Sequence, residues 1–158
     1  MLFFVLISFA TLAARLLEWL VLSRPGSWSS AMRWGMAATL VFFGVDHLVT
    51  PERYLPMMPD VVPFHPEVVL LTGLCEIAGA LGLLIPRTRR FAGVMLAIYF
   101  VCVFPANIKN ALYGVNVDGL PTASLYYWVR LLFQPLAIWW ALRASGVLQP
   151  NLAKKGKR

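Results

Sequence analysis

Charged residues are scarce in this chain. Of its 158 residues only 13% are Asp, Glu, Lys or Arg, whereas 59% are hydrophobic. Soluble domains usually carry about 25% charged residues, so the composition excludes an ordinary water-soluble fold and a disordered chain alike. Cysteine is also rare: Cys75 and Cys102 lie in apolar runs without metal-ligand spacing such as CxxC. We expect both to be small buried hydrophobes and predict no metal site.

Acidic residues are fewer than basic ones, seven against fourteen, which gives a net charge of +7. The basic residues cluster in the connections between apolar segments and in the tail. That distribution is typical of membrane topology rather than of a nucleic-acid surface. We therefore expect a lipid bilayer as the surroundings, no nucleic-acid partner, and one domain over residues 1–158.

Long apolar runs are abundant. Five are long enough to cross about 30 Å of hydrocarbon, namely residues 2–22, 32–49, 68–85, 91–112 and 124–142. The first has no basic residue before it and is interrupted by Arg15 and Glu18, so we expect a retained helix rather than a signal peptide. The sequence predicts an all-α membrane protein with five transmembrane helices.

The distribution of Lys and Arg predicts the orientation. The first and third connections and the basic tail 153–158 contain no acidic residue, whereas the second and fourth connections contain Asp or Glu. Since cytoplasmic segments are enriched in Lys and Arg, we expect the N-terminus outside and the C-terminus in the cytoplasm. The expected location is a bacterial inner (plasma) membrane.

The second connection is rich in proline, with five prolines in residues 51–66. This spacing forbids a continuous helix, yet much of the segment is apolar. We expect it to fold back on the outer interface. Two interpretations stay open: a rigid connector, or a lid over a pocket.

Polar side chains converge in the outer halves of helices two to five, whereas the inner halves are almost purely apolar. Glu76 is the deepest acidic one and stands between glycines at helical spacing, which allow neighbouring helices to come close. The candidate ligand-binding residues are Asp46, His47, Glu76, Asn107, Asn110, Arg130 and Gln134. Pro105 and Pro135 should interrupt the fourth and fifth helices and widen a cavity beside these residues.

A charge at the depth of Glu76 costs several kcal/mol unless it is paired or neutralised. Arg130 is its expected counter-ion, with Asp46 competing for the same guanidinium. The pair Glu76–Arg130 has two interpretations. It is a structural ion pair that locks helices together, or it belongs to a pocket for a polar head, a quinone or a proton relay.

Short motifs in a fixed order also resemble a known family. They are GVDH at 44–47, the Pro-rich connection, TGLCE at 72–76, LIPRTRR at 84–90, FPANI at 104–108 and RLLFQP at 130–135. Together they resemble the DoxX-like membrane proteins of the wider DoxX group, over about residues 32–142. The resemblance implies a four-helix transmembrane bundle, to which residues 2–22 add one N-terminal helix.

The resemblance implies a function less firmly than a fold. Some relatives are described as subunits of a thiosulfate:quinone oxidoreductase, others as oxidoreductases, and a eukaryotic relative is a chaperone for acetylcholine receptors. The sequence shows no haem, flavin or iron–sulfur ligand motif, no covalent cofactor and no self-contained set of catalytic residues, so an oxidoreductase-associated subunit is the most it predicts.

Two functions therefore stay open. One is a redox-associated accessory protein with a site for a quinone-like or other small molecule in the outer half of the bundle, working with a membrane or redox protein partner. The other is a non-catalytic assembly factor, chaperone or interaction subunit, or a homo-oligomer, in which Glu76–Arg130 is structural. A transporter ranks last, because so short a chain lacks inverted repeats.

Overall fold

The computed structural model of the protein describes residues 2–22, 27–113 and 124–148. Every regular element within these ranges is helical. The α-helices are α1 (Leu2–Leu22), α2 (Trp28–Val49), α3 (His65–Leu84), α4 (Arg89–Cys102), α5 (Phe104–Tyr113), α6 (Ser124–Leu132) and α7 (Gln134–Ala144). Two 3-10 turns, Pro51–Arg53 and Leu55–Met57, occupy the second connection. The predicted basic tail 153–158 and the acidic residue of the fourth connection, Asp118, lie outside the described residues.

Local capping explains why two helices begin earlier than their apolar runs. α2 begins at Trp28 rather than at residue 32, because the Ser27 hydroxyl accepts a hydrogen bond from the Ser30 amide at 3.1 Å and caps the first turn. α3 begins at His65 rather than at residue 68, with Pro66 in its first turn, where a missing amide proton costs nothing. A hydropathy profile shows neither the N-cap serine nor the first-turn proline.

The predicted interruptions at Pro105 and Pro135 are confirmed. The fourth apolar segment breaks between α4 and α5 at Val103, and the fifth breaks between α6 and α7 at Phe133. Each break lies two residues before the proline, whose ring and missing amide proton disfavour a regular helix there. The two broken segments supply several residues to the candidate site.

Glycine permits a close contact between α2 and α3. A Cβ atom on Gly44 would lie 2.8 Å from the Gly73 carbonyl oxygen, and one on Gly73 would lie 2.8 Å from the Gly44 oxygen. The two backbones therefore touch where any larger residue would separate them. α2 also packs against α1 and α7, so it is the central helix of the described bundle.

The core includes a residue of the N-terminal helix. Ile7 of α1 is fully buried together with Met36 and Leu40 of α2, Leu83 of α3 and Ala141 of α7. Helix α1 is therefore packed into the same core as the rest of the bundle, rather than being a separate appendage.

Three segments are long and apolar enough to cross a membrane: Leu2–Val21, His65–Leu84 and Arg89–Tyr113. Large apolar side chains also cover the outside of the bundle, among them Phe9, Leu71 and Val101, each more than half exposed. An all-helical protein with such a surface is compatible with a membrane environment.

The two cysteines differ from their prediction. Both are free and exposed, so the expectation of buried small hydrophobes was wrong. Both side chains lie on the apolar outer surface of the bundle. Periodicity cannot distinguish a lipid-facing position from a core position when both are apolar.

Candidate functional site

A cavity of about 270 Å³ opens between the helices and the Pro-rich connection. Its walls combine aromatic and aliphatic side chains with a group of polar ones. Six of the seven predicted site residues line it: Asp46, His47, Glu76, Asn107, Arg130 and Gln134. The seventh, Asn110, does not. Residues from the second, third, fourth and fifth apolar segments therefore meet around one space.

Asp46 holds the Pro-rich connection against the bundle. Its carboxylate accepts hydrogen bonds from Arg53 Nη1 at 2.7 and 2.8 Å, from the Thr50 hydroxyl at 3.0 Å and from the Tyr54 hydroxyl. The Tyr54 ring stacks on His47 with centroids 3.8 Å apart. Burial and the hydrogen bond to Asp46 raise the pKa of Tyr54 above its ordinary value. Asp46 is thus engaged by the connection and does not compete for Arg130.

Lys109 fixes the same connection at a second point. Its ammonium donates to the Met58 carbonyl at 2.7 Å and to Asp60 Oδ1 at 2.6 Å. The hydrogen bond and charge of Lys109 hold the pKa of Asp60 below its usual range. Met57 and Met58 are buried between the two attachment points. The connection therefore forms part of the cavity wall, which favours the lid over the plain connector.

Glu76 is buried, at 6% exposure, and pairs with His47 and Tyr99. Its Oε1 accepts from the Tyr99 hydroxyl at 2.8 Å, and its Oε2 lies 3.3 Å from His47 Nδ1. The predicted Glu76–Arg130 ion pair does not form between these described side chains. The reason is the helix packing: α3 lies against α2 and α4, so His47 on α2 reaches Glu76 first.

The proton position on His47 follows from its neighbours. Nδ1 lies 2.8 Å from the Phe43 carbonyl oxygen, which can only accept, so Nδ1 carries the proton. The same N–H lies near Glu76 Oε2, which has no hydrogen bond to any described residue. Nε2 is then an acceptor in the neutral ring and a donor in the cation. Glu76 and His47 together form a pair that can take up or release a proton.

The amides divide into two groups. Gln134 accepts from Asn107 Nδ2 at 3.2 Å and donates through Nε2 to the Phe100 carbonyl, in the last turn of α4 before its break. Asn110 is 1% exposed and donates to Met57 Sδ at 3.0 Å. Gln134 thus ties α4, α5 and α7 together, and Asn110 attaches α5 to the connection through Met57, which lines the cavity although Asn110 itself does not.

Arg130 lines the cavity, and its guanidinium has no described partner. It is half-buried, and no hydrogen bond or ion pair joins its guanidinium to another residue in the part of the chain that the structure describes. A buried cation without a partner is costly unless water or a ligand satisfies it. Among the described residues, the Arg130 guanidinium therefore has unused hydrogen-bond donors, and Glu76 Oε2 has one ion-pair partner, His47, at 3.3 Å.

Arg53, Tyr54 and Tyr99 are site residues that the sequence reasoning missed. Tyr99 lies in an otherwise apolar run, where one hydroxyl gives no periodic signal. Arg53 and Tyr54 follow Asp46 at i+7 and i+8, which in a continuous helix would place them about 10 Å further along the axis and out of hydrogen-bonding reach. The available signal was the proline content, since a segment that cannot continue the helix can fold back on it.

Comparison with known proteins identifies a family. Residues 36–145 match a family described as a domain of unknown function, DUF8561. The match covers α2 from Met36 through α7 and includes every polar residue that lines the cavity. No curated protein and no solved structure matches the chain.

Proposed function

We propose that this chain, which belongs to the DUF8561 family, is a redox-associated membrane protein that holds a quinone-like molecule in the cavity. One observation supports this most directly. The cavity combines apolar aromatic walls with a guanidinium, Arg130, that makes no hydrogen bond or ion pair within the described residues, and with a carboxylate oxygen, Glu76 Oε2, whose described partner is the His47 ring at 3.3 Å. Small-molecule sites are typically apolar clefts with a few such polar groups.

The polar groups match the two redox forms of a quinone. A quinone carbonyl accepts hydrogen bonds, and Arg130 can donate one, since its guanidinium makes no hydrogen bond within the described residues. A hydroquinone hydroxyl donates, and Glu76 Oε2, which pairs with His47 at 3.3 Å, can accept. The Glu76–His47 pair can receive the proton that a hydroxyl loses on oxidation.

The apolar walls suit the ring of such a molecule. Phe3 and Phe4 of α1 and Phe42 and Phe43 of α2 line the cavity. A volume of about 270 Å³ lies just below the usual range of about 300–1,000 Å³ for ligand sites. The space therefore suits one substituted ring, with any tail extending between helices toward lipid. A membrane or redox protein partner would accept the electrons when a hydroquinone is oxidised and supply them when a quinone is reduced.

The architecture that accompanies this function is a five-helix transmembrane bundle of DoxX type. The broken pairs α4–α5 and α6–α7 count as one span each, and α2 is long enough, at 22 residues, to cross at about 1.5 Å per residue. The proposed orientation has the N-terminus outside and the C-terminus in the cytoplasm of a bacterial inner membrane.

Quinone binding by purified variants tests the proposal. Ubiquinone-1 is titrated against the protein in a neutral detergent, and quenching of tryptophan fluorescence gives the Kd. Removing one charge-assisted hydrogen bond should weaken binding about tenfold or more, so Glu76→Gln and Arg130→Gln should each show that loss. Glu67→Gln is the matched control, because Glu67 is exposed on the same helix and does not line the cavity.

The thermal midpoint of each variant separates binding from folding. The proposal expects Glu76→Gln and Arg130→Gln to melt within a few degrees of the parent protein while binding weakly. Unchanged Kd values in both variants would contradict it.

The second candidate function is a non-catalytic assembly factor or interaction subunit. The observation that favours it is that Asp46, His47, Glu76, Asn107 and Gln134 all join different elements, as structural polar contacts do. On this alternative, Glu76→Gln lowers the melting temperature strongly and quinone binding is absent from the parent protein. A membrane protein that co-purifies with the parent should then be lost when exposed α1 side chains such as Phe9 are replaced.

A further inference from the structure

A polar recess of about 220 Å³ lies at the other end of the same helices. It forms where α2 begins, where α3 gives way to α4, and just after α7 ends. Half of its lining residues are arginines and none is acidic: Arg33, Pro86, Arg89, Arg90, Ser145 and Gly146. This recess shares no residue with the cavity described above.

Two of its arginines are anchored in a way that leaves their terminal nitrogens free. Arg33 Nε donates to the Ala144 carbonyl at 3.2 Å, and Arg89 Nε donates to the Leu83 carbonyl at 3.2 Å. Both carbonyls stand in the last turns of helices, where backbone acceptors lack helical donors and the helix dipole is negative. No hydrogen bond or ion pair within residues 2–22, 27–113 and 124–148 engages the Nη atoms. Two guanidinium forks are therefore held in place with their donors unused.

The helix packing brings these charges together. A Cβ atom on Gly93 of α4 would lie 2.2 Å from Ser145 Cβ, so the chain just after α7 is in contact with α4. Arg33 and Arg89 are close enough to repel each other, whereas Glu18 attracts Arg33. Glu18 also accepts from the Ser30 hydroxyl at 2.8 Å. One carboxylate against three arginines leaves the recess with a net positive charge.

We propose that this recess binds the phosphate of an anionic phospholipid headgroup. Guanidinium forks match phosphate oxygens with paired hydrogen bonds, and Arg33, Arg89 and Arg90 surround a space of the size of one headgroup. Two candidate spans, His65–Leu84 and Arg89–Tyr113, meet at the recess, which is where a lipid headgroup lies when these helices cross a bilayer. Basic recesses between helices on the cytoplasmic side are typical binding sites for such headgroups. This location favours a lipid over a free phosphate ion.

Lipid retention and thermal stability test the inference. The full chain is purified in a neutral detergent and doped with phosphatidylglycerol, with phosphatidylcholine, or with inorganic phosphate. Native mass spectrometry counts retained lipids, and the melting temperature is measured in each condition. Phosphatidylglycerol should be retained and should raise the melting temperature of the parent protein, whereas phosphatidylcholine should do neither.

The variants distinguish the recess from general surface charge. The double variant Arg89→Gln/Arg90→Gln should bind phosphatidylglycerol at least tenfold more weakly than the parent protein. Each protein is compared with the same protein doped with phosphatidylcholine. Arg87→Gln is the matched control, because Arg87 is exposed in the same connection but does not line the recess. If the double variant does not melt cooperatively, Arg90→Gln alone replaces it, since Arg90 is exposed and makes no hydrogen bond among the described residues.

Each outcome decides the inference. Retention in the parent and in Arg87→Gln, with loss in the recess variant, supports a lipid site. Equal stabilisation by inorganic phosphate without lipid retention would show a free-phosphate site and overturn the lipid assignment. Equal loss in Arg87→Gln, or no loss in any variant, would overturn the recess itself. Quinone titration of the same samples tests the cavity separately, because the recess and the cavity share no residue.

Discussion

Replacement of Asp46 by Asn should release the Pro-rich connection from the bundle. The Asp46 carboxylate is the common acceptor for Arg53, Tyr54 and Thr50. Asparagine keeps one oxygen acceptor but replaces the other with a donor and removes the charge. Because the Arg53 side chain is 36% exposed, solvent screening reduces the value of the ion pair. The loss of a charge-assisted hydrogen bond at this site amounts to about 2 kcal/mol.

The backbone of the connection reports this loss directly. The 3-10 turns are closed by the amides of Arg53, Tyr54, Met57 and Met58, which donate to carbonyls three residues earlier at 3.0–3.2 Å. If the free energy that holds the connection against the bundle falls by about 2 kcal/mol, hydrogen exchange of these amides should become about 30-fold faster. Hydrogen exchange with mass spectrometry measures the change, and amides of the α2–α3 contact should stay protected.

Asp60→Asn is the control in the same connection. The Asp60 carboxylate is 90% exposed, and its ion-pair partner among the described residues is Lys109, so its removal should leave exchange of the four amides within about threefold of the parent. Asp46→Asn exchange within that same narrow range would refute the assignment of Asp46 as the attachment point. A rise in exchange over the whole bundle would also refute it, because it would show a general rather than local effect.

The remaining predictions concern helix packing and one surface pair. Gly44→Ala should destabilise the bundle by about 1–3 kcal/mol, because the new Cβ atom would meet the Gly73 backbone. Gly79→Ala should destabilise it less, because its Cβ atom would meet the Leu96 side chain. Chemical denaturation compares the unfolding free energies of the two variants. Lys109→Met should raise the pKa of Asp60 toward its ordinary value of about 3.9, measured by carboxyl NMR titration. The pKa of Asp60 is lowered in the folded protein, so the pair stabilises the fold at pH values above the ordinary pKa of Asp60. That stabilisation is lost as the pH falls through the lowered pKa.

The sequence predicted the helices and their interruptions because both depend on local properties. Apolar length, the ring of Pro105 and the Pro-rich second connection each act within a few residues along the chain. The sequence also predicted that the polar residues converge at one end of the bundle, because the depth of a residue follows from the rise per residue along its helix. Asn110 shows the limit of this estimate: it has the right depth but lies outside the cavity lining.

The pairing of those polar residues was not predictable, because it depends on which helices touch. Glu76 was assigned to Arg130 on charge and depth alone. The mutual contact of Gly44 and Gly73 brings α2 against α3, and this contact selects His47 as the neighbour of Glu76. The glycines beside Glu76 predicted a close approach but did not indicate the partner helix.

In this cavity, hydrogen bonding to other protein groups distinguishes structural residues from candidate ligand-binding residues. Asp46 and Gln134 use their polar atoms on other elements of the protein, so a ligand could reach them only by displacing those contacts. Arg130 makes no hydrogen bond or ion pair within the described residues, and Glu76 Oε2 has only the ion pair with His47 at 3.3 Å there. Unpaired polar groups in an apolar setting are costly. Arg130 and Glu76 line the same cavity without an ion pair between them, and this arrangement supports the proposed binding of a molecule with both a donor and an acceptor.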